Sequence, residues 1–107
     1  MPGLDKPEGL CPKGEAAHKA ICDFLATNGL EDTGGTRAFY SPAEWRERGE
    51  QYGTKSVLVV VHDGGGLAPC CNLDYEAYDL HDALVKTLDK HGVWIEQCTC
   101  WYSAIYP

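Results

Sequence analysis

The chain has 107 residues, 44% hydrophobic and 23% charged, with 16 acidic against 9 basic side chains and a formal net charge of -7. That length provides for one hydrophobic core and the composition excludes disorder or a fibrous repeat, while the acidic balance argues against direct nucleic-acid binding, which draws on a basic patch. No apolar run approaches the roughly 18 residues of a membrane span, and residues 1–6 lack the basic and apolar regions of a signal peptide, so a cytoplasmic protein without a membrane partner is expected.

Residues 1–10, with Pro2, Gly3, Pro7 and Gly9, read as a flexible arm ahead of a single α+β domain spanning residues 11–107. Pro12 suits the first turn of a helix. Ala16, Ala17, Ala20, Ile21, Phe24 and Leu25 recur at helical spacing, and Asn28-Gly29 supplies a stop. A polar loop over 31–35 leads to a short strand over 36–40. Ser41-Pro42-Ala43-Glu44 is a helix start, with Ser41 as N-cap, Pro42 at the first helical position and Glu44 placed for a capping box; Trp45 is its main apolar anchor and Gly49 its stop.

Val57-Leu58-Val59-Val60-Val61 is apolar without alternation, which predicts a strand buried on both faces. His62, Asp63, Gly64, Gly65 and Gly66 follow it. They are expected to turn the chain into a second strand over 67–72, an edge strand because Pro69 cannot donate to a ladder. Asp74 is placed to cap a helix with core positions Ala77, Leu80, Leu84 and Leu88; its acids come early, Lys86, Lys90 and His91 late, and Gly92 ends it. Residues 93–106 alternate two faces and read as one long strand with a bend or bulge. After the first helix the order is β-α-β-β-α-β, which predicts a mostly antiparallel sheet with helices on one face, ferredoxin-like or a variant strand order. The valine-rich strand suits a central position and Pro69 an edge, so the variant in which the last strand pairs with residues 57–61 is preferred.

The end of the valine-rich strand is where polar side chains reach a rim, and the candidate ligand-binding residues are His62, Asp63, Gly64, Gly65, Trp101 and Tyr102. Three glycines after a strand can form an anion nest, but they equally serve a turn that needs positive φ. No metal or other cofactor is expected. The residues that would have to converge for a zinc site are His62, Cys70, Cys98 and Cys100, and Cys98-Thr99-Cys100 lacks the spacing of a zinc knuckle. Most of the six cysteines, without a secretory signal, read as buried free thiols. A thiol or metal-dependent enzyme centred on His62, Asp63 and the neighbouring cysteines is the rival reading. A further one is an acidic inhibitor of a nucleic-acid-handling host protein, presenting Asp74, Glu76, Asp79, Asp82 and Asp89.

Aromatic side chains crowd the second half: Tyr75, Tyr78, Trp94, Trp101, Tyr102 and Tyr106. With helices on one face only, a surplus aromatic sheet face needs a partner, and a homodimer or a ligand groove lined by Trp101, Tyr102 and Tyr106 would provide one.

The stretches Phe39-Tyr40-Ser41-Pro42-Ala43-Glu44-Trp45-Arg46-Glu47-Arg48-Gly49-Glu50, His62-Asp63-Gly64-Gly65 and Glu96-Gln97-Cys98-Thr99-Cys100-Trp101-Tyr102-Ser103-Ala104-Ile105-Tyr106 resemble small uncharacterised proteins of bacteriophages and other mobile elements, including integron gene cassettes. The resemblance carries no residue roles. It implies a bacterial cytoplasm and an accessory task, binding a host protein or a small ligand. The expectation is therefore a non-enzymatic, homo-oligomeric accessory domain.

Overall fold

The structure, a computed structural model, describes residues 2–107. Its helices are α1 (Pro12–Thr27), α2 (Pro42–Glu47), α3 (Leu67–Cys71) and α4 (Tyr78–Asp89), and its strands β1 (Phe39–Tyr40), β2 (Leu58–Val61), β3 (Trp94–Gln97) and β4 (Tyr102–Tyr106), with single 3₁₀ turns at Pro2–Leu4 and Leu73–Tyr75. The four strands form one antiparallel sheet in the order β1-β2-β4-β3. The chain is thus an α+β domain. Among the described residues no helix is long and apolar enough to cross a membrane.

β2 is the hub of the sheet. Leu58, Val59 and Val60 are fully buried and Val61 nearly so, as an unbroken β-branched run requires when both faces are covered. Strand alternation sends Leu58 and Val60 to one side and Val59 and Val61 to the other. Leu58 and Val60 join Ile105 of β4 in a core made with Ala17, Ile21 and Leu25 of α1, Leu84 and Leu88 of α4, and Leu67, Cys70 and Cys71 of α3. Val59 and Val61 pack with Trp45 of α2 and Tyr102 of β4. Each such aliphatic side chain contributes roughly 1.5–3 kcal/mol by leaving water.

The helices therefore do not all lie on one face, as the sequence led us to expect: α2 covers the opposite side through a single large side chain. Trp45 is completely buried, with Tyr40, Tyr102 and Trp101 at ring-centroid distances of 5.1, 4.9 and 5.8 Å and the Arg48 guanidinium 4.6 Å above it. The capping box starts α2 as expected. Glu44 N–H donates to Ser41 Oγ at 3.1 Å, and Ser41 N–H donates to Glu44 Oε1 at 3.0 Å. The same carboxylate receives Arg37, whose hydrogen bond, the main cause, holds the Glu44 pKa below its ordinary value.

α1 begins at Pro12 and ends in a Schellman turn: Gly29, at φ +67, donates to the Ala26 carbonyl and Leu30 to that of Leu25. The segment before α1, read from the sequence as an arm, lays Leu4 into the helix-side core and offers the Gly3 carbonyl to Ala38 N–H at 2.8 Å.

Three elements differ from expectation, the first being the helix expected to be capped by Asp74: α4 begins at Tyr78 with Ala77 before it, and Asp74 lies in the Leu73–Tyr75 turn. Residues 67–72 were expected as an edge strand, but Leu67–Cys71 is the short helix α3, with Pro69 in a first turn where its missing N–H has no intrahelical acceptor to lose. Residues 93–106 were expected as one bent strand, but they fold back as a β3–β4 hairpin. The pairing of the last strand with the valine-rich strand is as expected, with Val61 opposite Tyr102 and Leu58 opposite Ile105.

Because Trp45 is the one side chain that α2 buries, Trp45→Ala is expected to cost about 3–5 kcal/mol, read as a lower urea midpoint, whereas Val85→Ala on the exposed side of α4 should stay within about 0.5 kcal/mol.

Candidate functional site

The expected rim forms as a backbone juxtaposition. His62 N–H donates to the Trp101 carbonyl at 2.8 Å, continuing the β2–β4 ladder one step past Val61 and Tyr102. The side chains then diverge. Tyr102 points to the α2 side, stacked edge-on with Trp45 and Trp101, and donates its hydroxyl to the Tyr52 carbonyl at 3.2 Å. His62 points to the helix side, is only 1% exposed, and shares a 2.8 Å hydrogen bond between Nε2 and Ser103 Oγ. Asp63 is exposed, while Gly64 is partly covered. His62 and Trp101 thus meet through their backbones, but the six residues do not converge on a common cavity, and two large clefts lie elsewhere. Both are about 500 Å³ and flank the leading segment, one beside Arg37 and Glu44, the other beside His18 and Cys22.

His62 and Ser103 begin a polar row at the end of the helix-side core. Gln97 lies opposite Ser103; its amide donates to Asn72 Oδ1 at 3.2 Å and its carbonyl oxygen accepts from Leu73 N–H at 3.1 Å. Asn72 in turn donates to the Cys100 carbonyl at 3.1 Å and caps the following turn through Asp74 N–H at 3.0 Å. The row ties α3 and the Leu73–Tyr75 turn to the β3–β4 hairpin. A serine beside an imidazole is the geometry of an activated nucleophile, but Ser103 is fully buried and His62 Nδ1 has no hydrogen-bond partner among the described residues to orient the ring. The pair is a structural link in the core.

The glycine run serves close packing. Gly66 N–H donates to the Asp32 carbonyl at 2.6 Å, and Gly65, at φ +69, lies against Asp32 and Thr33 so tightly that a Cβ would overlap the Asp32 carbonyl oxygen. The turn is thereby clamped to the 30–33 loop, and the Gly66 amide is occupied by protein. Gly64 has open space around it and an ordinary φ. Gly65→Ala is accordingly expected to destabilise by about 2 kcal/mol or more, from strain plus overlap, lowering Tm by roughly 8 °C or more in a domain of this size, while Gly64→Ala should leave Tm nearly unchanged.

All six cysteines are free, but only Cys70 and Cys71 are buried, against the expectation for most of them; Cys22 and Cys98 are half-buried and Cys11 and Cys100 exposed. Burial pushes the Cys22, Cys70 and Cys98 thiols up to about 11 and Cys71 higher still, so each is a protonated thiol at neutral pH. Cys70 donates to the Gly66 carbonyl and Cys98 to that of Glu96, whereas Cys100 is exposed. Among the described residues no group of three or more His, Cys, Asp or Glu side chains is placed to hold a metal ion. The set His62, Cys70, Cys98 and Cys100 is therefore not assembled: Cys98 lies with the α2-side cluster, and His62 and Cys70 belong to the helix side. The acidic series is exposed at all five positions, but Asp74 and Glu76 precede α4 and do not continue a stripe along it.

Burial away from water holds the His62 pKa below its ordinary value of 6.5, with the backbone of His62 and Tyr102 and then Asp63 opposing only in part. The folded protein then takes up this proton less readily than the unfolded chain. Its contribution to stability is complete above that ordinary value and is lost as the pH falls below it. The urea midpoint should therefore drop between about pH 7.5 and pH 5, and His62→Gln, which keeps a partner for Ser103, should flatten that drop.

The surplus aromatic surface exists at part of the set singled out: Tyr75, Tyr78 and Trp94 are exposed and Tyr106 is half-buried, whereas Trp101 and Tyr102 pack against Trp45. Trp94 is 49% exposed and stacks on Tyr106 at 5.0 Å, on the α2 side of the sheet where α2 does not reach. Both belong to the face that alternation assigns to Glu96, Tyr102 and Ala104, so the signal was present in the sequence. What was missing was that Trp45 claims Trp101 and Tyr102 for the core.

Beside this pair the sheet edge is open. Ile105 and Trp101 offer their carbonyls to Val57 and His62 on the β2 side, so the intervening residues Tyr102, Ala104 and Tyr106 direct their peptide groups toward β3. Their partners Trp94 and Glu96 bond inward, leaving the N–H and C=O groups of Ile95 and Gln97 facing outward along the edge. The opposite edge is two residues long, and Arg37 Nε covers the Phe39 carbonyl at 2.9 Å. No protein-family model, curated protein or solved structure matches the chain.

Proposed function

We propose that this chain is a non-enzymatic accessory domain that binds a protein partner through the Trp94–Tyr106 side of the sheet and the neighbouring β3 edge. The observation that carries the reading is the half-exposed Trp94 stacked on Tyr106, an aromatic pair left outside a core that buries every other tryptophan at least in part. Exposed aromatic pairs of this kind anchor interfaces because they offer large rigid area at small entropic cost. The chemistry elsewhere supports binding over catalysis: the buried thiols are protonated and the only serine–histidine pair among the described residues lies inside the core. The resemblance to mobile-element proteins supports a bacterial host protein as the partner in the cytoplasm.

The test places a photo-reactive phenylalanine analogue at position 94 or, as a control, at position 79 on α4, in cells of a bacterial host. A discrete adduct from position 94 alone is expected. With that partner purified, Trp94→Ser should weaken binding by about 2 kcal/mol, roughly thirtyfold in Kd, without lowering Tm. Adducts of equal yield at both positions, or unchanged affinity, would overturn the reading.

A further inference from the structure

Resting on that reading, we infer that the partner docks by strand addition: an extended segment with a basic side chain opposite Glu96 pairs antiparallel with β3 and enlarges the sheet. Three features converge on it. The outward peptide groups of Ile95 and Gln97 supply two N–H donors and two C=O acceptors with no partner among the described residues, the spacing that an antiparallel strand satisfies. Glu96 lies between them, exposed, on the same face as Trp94. In such a pairing it occupies a position where the facing Cβ is about 5 Å away, and a like charge there is unfavourable.

That charge selects the occupant. The symmetric pairing with a second copy that uses all four outward groups sets Ile95 against Gln97 of the other copy and brings the two Glu96 carboxylates face to face across the axis. Two chains each of net charge -7 add to the repulsion. A segment bearing Lys or Arg at the same position instead gains an opposite-charge pair. Two residues further along, on the same face, its side chain meets Trp94, where an aliphatic group packs on the indole. The recognised pattern is thus basic, any residue, aliphatic, in an extended conformation.

The experiment titrates isotope-labelled protein with the peptide acetyl-Ser-Thr-Arg-Thr-Ile-Thr-Ser-amide, a version with Glu replacing Arg, and a version N-methylated at the two Thr residues flanking Arg. The Arg peptide is expected to shift the Ile95, Gln97 and Trp94 resonances and slow exchange of the Ile95 and Gln97 amides. The Glu peptide should bind at least about tenfold more weakly, Glu96→Lys should invert that order, and N-methylation should abolish binding. If the N-methylated peptide binds as well as its parent, strand addition is overturned while the aromatic docking surface stands. No response at β3 to any peptide, or concentration-dependent dimerisation of the free protein with protection of the same two amides, also overturns it; loss of the position-94 adduct in cells would instead remove the reading beneath it.

Discussion

The fold depends on β2 being apolar on both sides. A strand that buries Leu58 and Val60 in one direction and Val59 and Val61 in the other cannot be satisfied by a single layer of helices, so the chain has to provide cover on both faces of its own sheet. It does so unequally. α1, α3 and α4 build a deep core on one side, and on the other a six-residue helix delivers one indole. Trp45 fills the space that an aliphatic residue would leave open, and the Glu44 carboxylate that caps its helix also binds Arg37. The thinness of that second layer is why its protection stops short of β3, leaving Trp94 and Tyr106 at the surface.

The same asymmetry accounts for the polar row. Where the valine run ends, His62 enters the helix side of the sheet, and the core closes there with Ser103, Gln97 and Asn72. Each buried polar group in that row removes freedom from the elements it joins, since an unmatched donor or acceptor away from water is costly. His62 Nδ1 is left unmatched among the described residues, and burial lowers the ring's affinity for a second proton.

Much of this was legible because the signals were local. The continuous apolar run of β2, the capping box at Ser41 and the stop at Gly29 each rest on a handful of adjacent residues whose physics does not depend on the rest of the molecule. Residues 67–72 were misread because the three glycines suggested a hairpin; in fact Gly65 and Gly66 are there to let the turn press against the 30–33 loop, a contact that no local pattern discloses. The β3–β4 turn was missed because residues 98–101 contain no Gly, Pro, Asn or Asp. Thr99 makes it instead, its hydroxyl accepting from Trp101 and Tyr102 N–H at 3.2 Å while its own N–H donates to the Tyr102 carbonyl. A four-residue loop preserves strand parity, so the expected division of residues 93–106 into two faces survived the error. The edge site was hidden for a third reason: which aromatics are spare is decided by where Trp45 lands.

The pairing of β2 with β4 joins Val57 to Ile105 across nearly half the polypeptide. On the ribosome, the hub strand is therefore made long before the neighbour that completes it, and synthesis must pass Tyr106 before the central hydrogen bonds can close. Until then only β1 can pair with the valine-rich strand, and its longer edge lies open to non-native pairing.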